Sequence, residues 1–239
     1  MNNTNFEQIV ETVLFYVVII ALILLVRWIK RKRYEKTSYY QETQVEYNKI
    51  NKYSGTAGES RIFNELDKIE GYHKIVANCY LPKKDGTTSE VDLIMIHEKG
   101  IFVIESKDYS GWIFGSYNNK YWTQSLPSGG SSVKYRFYNP IWQNNGHIKA
   151  LNNYVDISNY PVYSYIVFSN RCELMKVTIN PHGNVAVINR SRLLQAITNK
   201  LKTSEIVIDN KKVDELYAIL KQTSKHDEET KNKHISNIK

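Results

Sequence analysis

Every residue from Val13 to Val26 is apolar or aromatic, and Trp28 and Ile29 extend the run past Arg27. The stretch from Phe6 to Trp28 therefore covers roughly the 20 residues a helix needs to cross a bilayer. A buried core helix is an alternative, but all-round apolarity closed by five basic residues within seven argues against it, so residues 6–28 predict a transmembrane span. Arg27 and the Lys30-Arg31-Lys32-Arg33 cluster close the run, whereas Glu7 and Glu11 lie at its start. Basic flanks stay on the cytoplasmic side, so the expectation is a single-pass protein of the cell membrane, amino terminus outside and the globular part in the cytoplasm. A cleaved signal peptide would carry positive charge before the apolar run and small residues after it, and this chain has neither.

The same flank accounts for much of the net charge. The formal total is +8, and residues 27–36 set six cations against Glu35. What remains is a mild basic excess, which permits nucleic acid as a partner without demanding it. Cys79 and Cys172 are the only cysteines, outside any CxxC pair and away from a His ligand set. Zinc is not expected, and both read as small buried hydrophobes.

After the anchor and its basic flank (residues 1–30), residues 31–53 are polar, rich in Tyr and free of Pro and Gly, and read as a juxtamembrane stalk. Thr56-Ala57-Gly58-Glu59 has capping-box spacing ahead of a helix to about Glu70, with Ile62, Phe63, Leu66 and Ile69 as its apolar stripe. Strand-like runs follow at 75–81, 90–96 and 100–106, the last two separated by His97-Glu98-Lys99 at hairpin spacing. A second hairpin is expected from 112–117 and 121–124, then a Gly/Ser loop over 127–132 and a helix from Asn139-Pro140 to about Tyr154. A buried strand over 162–168, a strand over 185–188 and helices over 190–201 and 214–222 complete an α/β pattern. The domain expectation is a core over 54–170, a C-terminal α/β extension over 171–224 packed on it, and a disordered charged tail over 225–239. The richness in Asn, Lys, Ile and Tyr suggests a bacterium of low GC content.

Two segments place charge where it is expensive. Val91-Asp92-Leu93-Ile94 and Ile104-Glu105-Ser106-Lys107 set two acids and an ammonium among apolar strand residues. Metal-assisted phosphodiester hydrolysis needs such a set: carboxylates converging on one ion, and a cation to offset charge growing on the phosphorus oxygens. If the turn holds just Glu98 and Lys99, Asp92 falls opposite Glu105, with Cβ atoms about 5 Å apart. Those like charges repel unless a divalent cation joins them. Lys107 shares the face of Glu105 by strand alternation. A three-residue turn with a bulge at Gly100 would separate the acids, and the sequence leaves that choice open. Glu59 is the third acid of interest, with a capping-box partnership to Thr56 as its alternative role; for Glu105 and Lys107 the alternative is a plain strand salt bridge.

Gly58-Glu59, Glu90-Val91-Asp92-Leu93-Ile94, the run Gly100 to Lys107, Gly111, Trp122 and Asn139-Pro140-x-x-Gln143-x-x-x-His147, in that order, resemble the nuclease-related domain (NERD) family, a branch of the PD-(D/E)XK nucleases. The resemblance covers roughly residues 54–170. It implies a restriction-endonuclease-like α/β core, a central mixed sheet flanked by helices, with a Mg²⁺ site (Mn²⁺ as a substitute) for cleaving DNA. Carried over by position, Asp92 and Glu105 would be metal ligands, and Lys107 would orient the water or stabilise the transition state. Glu59 would assist the metal, and Gln143 and His147 would border the substrate groove. Ser106 departs from the family's apolar residue between Glu and Lys, on the opposite face of the strand.

Trp112, Trp122 and Trp142 could stack on bases and Lys134, Arg136 and Lys149 could meet phosphates, with core or rim packing as the alternative for each Trp. His73, His97 and His182 share no ligand spacing and read as surface residues. Three functions follow. The first is a membrane-anchored Mg²⁺-dependent endo-deoxyribonuclease. The second is a non-catalytic, membrane-tethered module binding nucleic acid or protein on the same fold. The third is a membrane scaffold indifferent to Asp92.

Overall fold

The computed structural model describes residues 2–52, 54–83, 86–180 and 183–224; the tail expected over 225–239 and His182 lie outside them. The apolar run is one long helix, α1 (Asn2–Tyr34), ending on Arg31, Lys32 and Arg33. Its stretch Gln8–Tyr34 is long and apolar enough to cross a membrane, and the apolar residues of its spanning window are not buried against the rest of the protein.

Residues just beyond α1 fold as α2 (Ser38–Thr43) and α3 (Tyr47–Lys52). They pack on the body of the protein: Tyr39 is fully buried, Tyr34 Oη donates to the Val45 carbonyl at 2.7 Å, and Glu42 pairs with Lys221 at 2.8 Å. The next helix, α4, spans Ser54–Leu66. Thr56 is thus inside a helix already begun, which removes the capping-box role suggested for it and Glu59. An N-cap must sit where helical geometry has not yet started.

Two sheets follow. Strands β1 (His73–Pro82), β2 (Thr88–His97), β3 (Gly100–Lys107), β7 (Val162–Phe168) and β9 (Val185–Asn189) form a five-stranded mixed sheet in the order β1-β2-β3-β7-β9. The first three are antiparallel, and β3, β7 and β9 are parallel. Strands β4 (Gly111–Ser116), β5 (Tyr121–Ser128), β6 (Ser131–Tyr138) and β8 (Cys172–Thr178) form a four-stranded sheet in the order β6-β5-β4-β8. The Gly/Ser loop expected over 127–132 is instead a tight hairpin. Ser128 pairs with Ser131 across Gly129 and Gly130, whose φ values of 49° and 85° suit a two-residue turn.

Helices α5 (Pro140–Tyr154), α6 (Leu193–Lys202) and α7 (Asn210–Thr223) complete the fold. The larger sheet is covered on both sides. Ile62, Phe63 and Leu66 of α4 and Leu193 and Ile197 of α6 pack with Leu93, Met95, Phe102 and Ile104 on one face. Leu151 of α5 and Val213, Leu216 and Leu220 of α7 pack with Val76, Ile94, Ile96 and Val103 on the other. Burial on both faces explains the near-continuous apolar runs of β2, β3 and β7. The smaller sheet covers the far end of β7 with one face, where Ile113 and Trp122 meet Ile166 and Phe168. Trp122 is buried against Phe168 and donates to the Ser116 carbonyl at 3.0 Å, so it is a core residue and cannot stack on a base. Both cysteines are free and buried. His97, expected at the surface, is 1% exposed; its ring stacks on His73, and Nε2 lies 2.9 Å from the Glu70 carbonyl. The short turn after β2 folds the imidazole back under the preceding loop.

Candidate active site

The turn between β2 and β3 holds two residues, because His97 pairs with Gly100 and the register continues through Leu93 and Ile104. Counting on, Asp92 falls level with Glu105. The strands do not pair there as a plain ladder, however. Asn78, level with Asp92 on β1, adopts φ 53°, and the alternation of faces breaks at this point. Leu93 and Met95 belong to the α4 side, whereas both Ile94 and Val91 belong to the α5 side. The kink leaves Asp92 beside the β3 backbone, where its Oδ2 accepts from the Ser106 N–H at 2.7 Å.

Glu105 and Lys107 lie on the α5 side of β3. Lys107 Nζ donates to Glu105 Oε1 at 2.6 Å and to Gln143 Oε1 at 3.0 Å. The other carboxylate oxygen of Glu105 lies 3.1 Å from His147 Nε2, and His147 Nδ1 lies 2.8 Å from Ser89 Oγ. A neutral imidazole protonated at Nε2 satisfies both contacts, donating to Glu105 and accepting from Ser89. Gln143 and His147, four residues apart on α5, thus grip the two charged groups of β3 from above. His147 is 7% exposed, so it is a buried partner of Glu105 rather than a residue at a groove's rim. Ser89 carried no sequence signal, since only the fold brings it to His147.

The helix is held by its first residues. Asn139 caps α5 by accepting from the Ile141 N–H at 2.9 Å, while its amide donates to carbonyls of Ser116, Tyr117 and Asn119 in the β4–β5 turn. Asn139-Pro140 therefore fixes where Gln143 and His147 stand. On the opposite face, Gly58 of α4 lies so close to β3 that a Cβ there would sit 3.0 Å from Asp108 Cβ and 3.1 Å from Ser106 Oγ. That close approach carries Glu59, the next residue, near enough to Asp92 to act on its charge. The small Ser106 meets the small Gly58, which accounts for a Ser where an apolar residue was expected.

The electrostatics are lopsided. Burial pushes the Asp92 carboxyl well above the usual carboxylate range, and the charges of Glu105 and Glu59 push it further. Burial acts the same way on Glu105, but the Lys107 ammonium and His147 outweigh it and hold that carboxyl below its ordinary value. Lys107, disfavoured as a cation by burial, is raised by Glu105 and Asp92. Lys107 acts on both acids, but only at Glu105 is burial outweighed. Among the described residues no group of three or more His, Cys, Asp or Glu side chains is placed to hold a metal ion. Two carboxylates are nevertheless the kind of hard oxygen donor that Mg²⁺ takes from a protein.

Residues 54–169 match the family model for the nuclease-related domain. This segment is a nuclease-related domain. The PD-(D/E)XK superfamily is the general placement of that family. The chain is also 29% identical over 188 residues to an uncharacterized protein of Bacillus anthracis, across 78% of this chain and 84% of that one. No solved structure matches it. The domain thus contains every site residue described above, from Glu59 to His147, and ends inside β7's connection to β8.

Proposed function

We propose that this protein is a membrane-anchored, cytosol-facing nuclease that uses a divalent metal ion, Mg²⁺ with Mn²⁺ as a substitute, to hydrolyse phosphodiester bonds of DNA. The observation that carries the reading is the half-buried Asp92 beside Glu105, Glu59 and Lys107, its Oδ2 held by the Ser106 N–H. A carboxyl partly removed from water and crowded by two further acids is costly, and a divalent cation held there would offset that cost. Residues 54–170 hold this chemistry, with residues 1–30 as anchor and 171–224 as an extension packed on the core.

Asp92 and Glu105 would hold the metal, with Glu59 assisting; all three supply the oxygen donors that a hard cation prefers. When bound, the metal supplies Lewis-acid stabilisation of charge on phosphorus and lowers the pKa of water. Lys107 offers an ammonium that offsets charge growing on the phosphoryl oxygens or orients the attacking water. Gln143 aims that ammonium through its 3.0 Å contact, and His147, braced by Ser89, orients Glu105. Glu105 would then be shared between the metal and Lys107, and Gln143 would keep the ammonium in place.

The test uses the full chain in detergent with plasmid, linear duplex and single-stranded DNA, in Mg²⁺, Mn²⁺ or EDTA. Metal-dependent cleavage lost in Lys107→Ala supports the reading. Cleavage that persists in EDTA, or in Asp92→Ala with Mg²⁺, sinks it. The anchor and its orientation rest on α1 and its basic last turn. Extraction of the chain from membranes by alkaline carbonate, or a carboxy-terminal reporter active only outside the cytoplasm, would overturn them.

A further inference from the structure

One face of the four-stranded sheet is uncovered. Its inner face packs on the core through Ile113, Trp122 and Phe137. Pairing of Tyr121 with Tyr138, Thr123 with Arg136, Ser125 with both Trp112 and Lys134, and Phe114 with Lys176 places those residues together on the outer face. Trp112, Tyr121 and Tyr138 remain 42%, 44% and 44% exposed. Large aromatic rings left in water on a sheet face are unusual unless something covers them.

The charge on this face favours one kind of cover. Lys134, Arg136 and Lys176 are all exposed on it, against Glu173 as the acid on the same outer positions. Arg136 stacks over the Tyr121 ring with its guanidinium carbon 4.9 Å from the centroid, and Lys120 lies 5.5 Å from the same ring. Rings interleaved with cations are what successive bases and phosphates of an unpaired strand require, since each base offers a π face and each phosphate a negative charge. The face also leads to the candidate active site. Tyr121 packs edge-on to Tyr138, Tyr138 to the half-exposed Trp142, and Trp142 precedes Gln143, the residue that holds Lys107.

We propose that the outer face of the four-stranded sheet binds single-stranded polynucleotide and feeds it across the start of α5 to the acids. The inference deepens the nuclease reading and rests on it only for the fate of the bound strand.

Binding is measured with the full chain in detergent, in EDTA, by anisotropy of labelled oligothymidylate and oligouridylate of about 15 nucleotides and a duplex of equal length. Both single strands should bind more tightly than the duplex. Trp112→Ala should weaken them about 10-fold and Trp112→Ala with Tyr121→Ala about 100-fold, with Trp112→Phe recovering most of the loss. Unchanged affinity in the double variant, preference for the duplex, or a loss confined to capture on vesicles of anionic phospholipid would overturn the proposal. Cleavage in Mg²⁺ is read separately: a chain that binds strands through these rings yet never cuts them defeats the nuclease reading and leaves the binding face intact.

Discussion

The two sheets of this domain handle charge in opposite ways. The five-stranded sheet is buried on both faces and admits Asp92, Glu105 and Lys107 only where β2 parts from β3, each group tied to a neighbour. The four-stranded sheet buries one face and leaves lysine, arginine and aromatic rings of the other in water. Burial makes a few charges energetic, whereas exposure makes many charges cheap. The first arrangement suits chemistry on a bond, and the second suits holding a long polyanion.

That contrast can be broken most forcefully at Lys107. Lys107→Ala should lower single-turnover DNA cleavage by about 10²–10³-fold, the usual cost of removing one charge-stabilising group, while single-strand binding stays. Loss of binding with cleavage retained would reverse the roles assigned to the two sheets. Next in size, Leu93→Ala, which cuts a fully buried side chain of β2, should cost about 2–5 kcal/mol in denaturant unfolding. Cutting Trp112 to Ala on the open sheet should change stability by no more than about 0.5 kcal/mol.

A pH experiment sharpens the comparison within the buried sheet. Asp92 is raised above its unfolded value, so without metal its contribution is present at low pH and is lost as pH rises through the folded value. Glu105 is lowered, so its contribution is present above the unfolded value and is lost as pH falls through the folded one. Asp92→Asn should therefore raise the melting temperature at pH 7.5 in EDTA, and added Mg²⁺ should stabilise the wild type but not this variant. An Asp92→Asn protein that melts lower in EDTA would mean that the carboxylate is already compensated. The smallest effect belongs to Ser89→Ala, which removes one hydrogen bond to His147 and should cost about 1 kcal/mol of stability with a modest loss of cleavage.

Much of the fold was legible where signals are local. The apolar helix, the β2–β3 hairpin, the strand at β7 and the helix opened by Asn139-Pro140 all follow from periodicity, charge and turn chemistry. Strands β6 and β8 were not. The first was hidden because Gly129-Gly130 looked like part of a loop, although adjacent glycines also suit a two-residue hairpin. The second, with its exposed Glu173, Met175 and Lys176, lacks a run that marks a strand without its neighbour β4. At the site, Asp92, Glu105, Lys107, Glu59, Gln143 and His147 were named from the residues and the family resemblance. The break in alternation at Asn78 and Asp92 was not, because a left-handed Asn within a strand leaves no mark on the pattern of residue types.

By itself, the sequence determined most of the helices and strands, β6 and β8 excepted, and where charge would be costly, since those properties depend on residues a few positions apart. Tertiary structure alone decided that β3 lies between β2 and β7, that His147 faces Glu105 across to Ser89, and that one sheet keeps an open face. Those facts depend on which distant surfaces exclude water from one another, and the exclusion is a property of the packed chain rather than of any stretch of it.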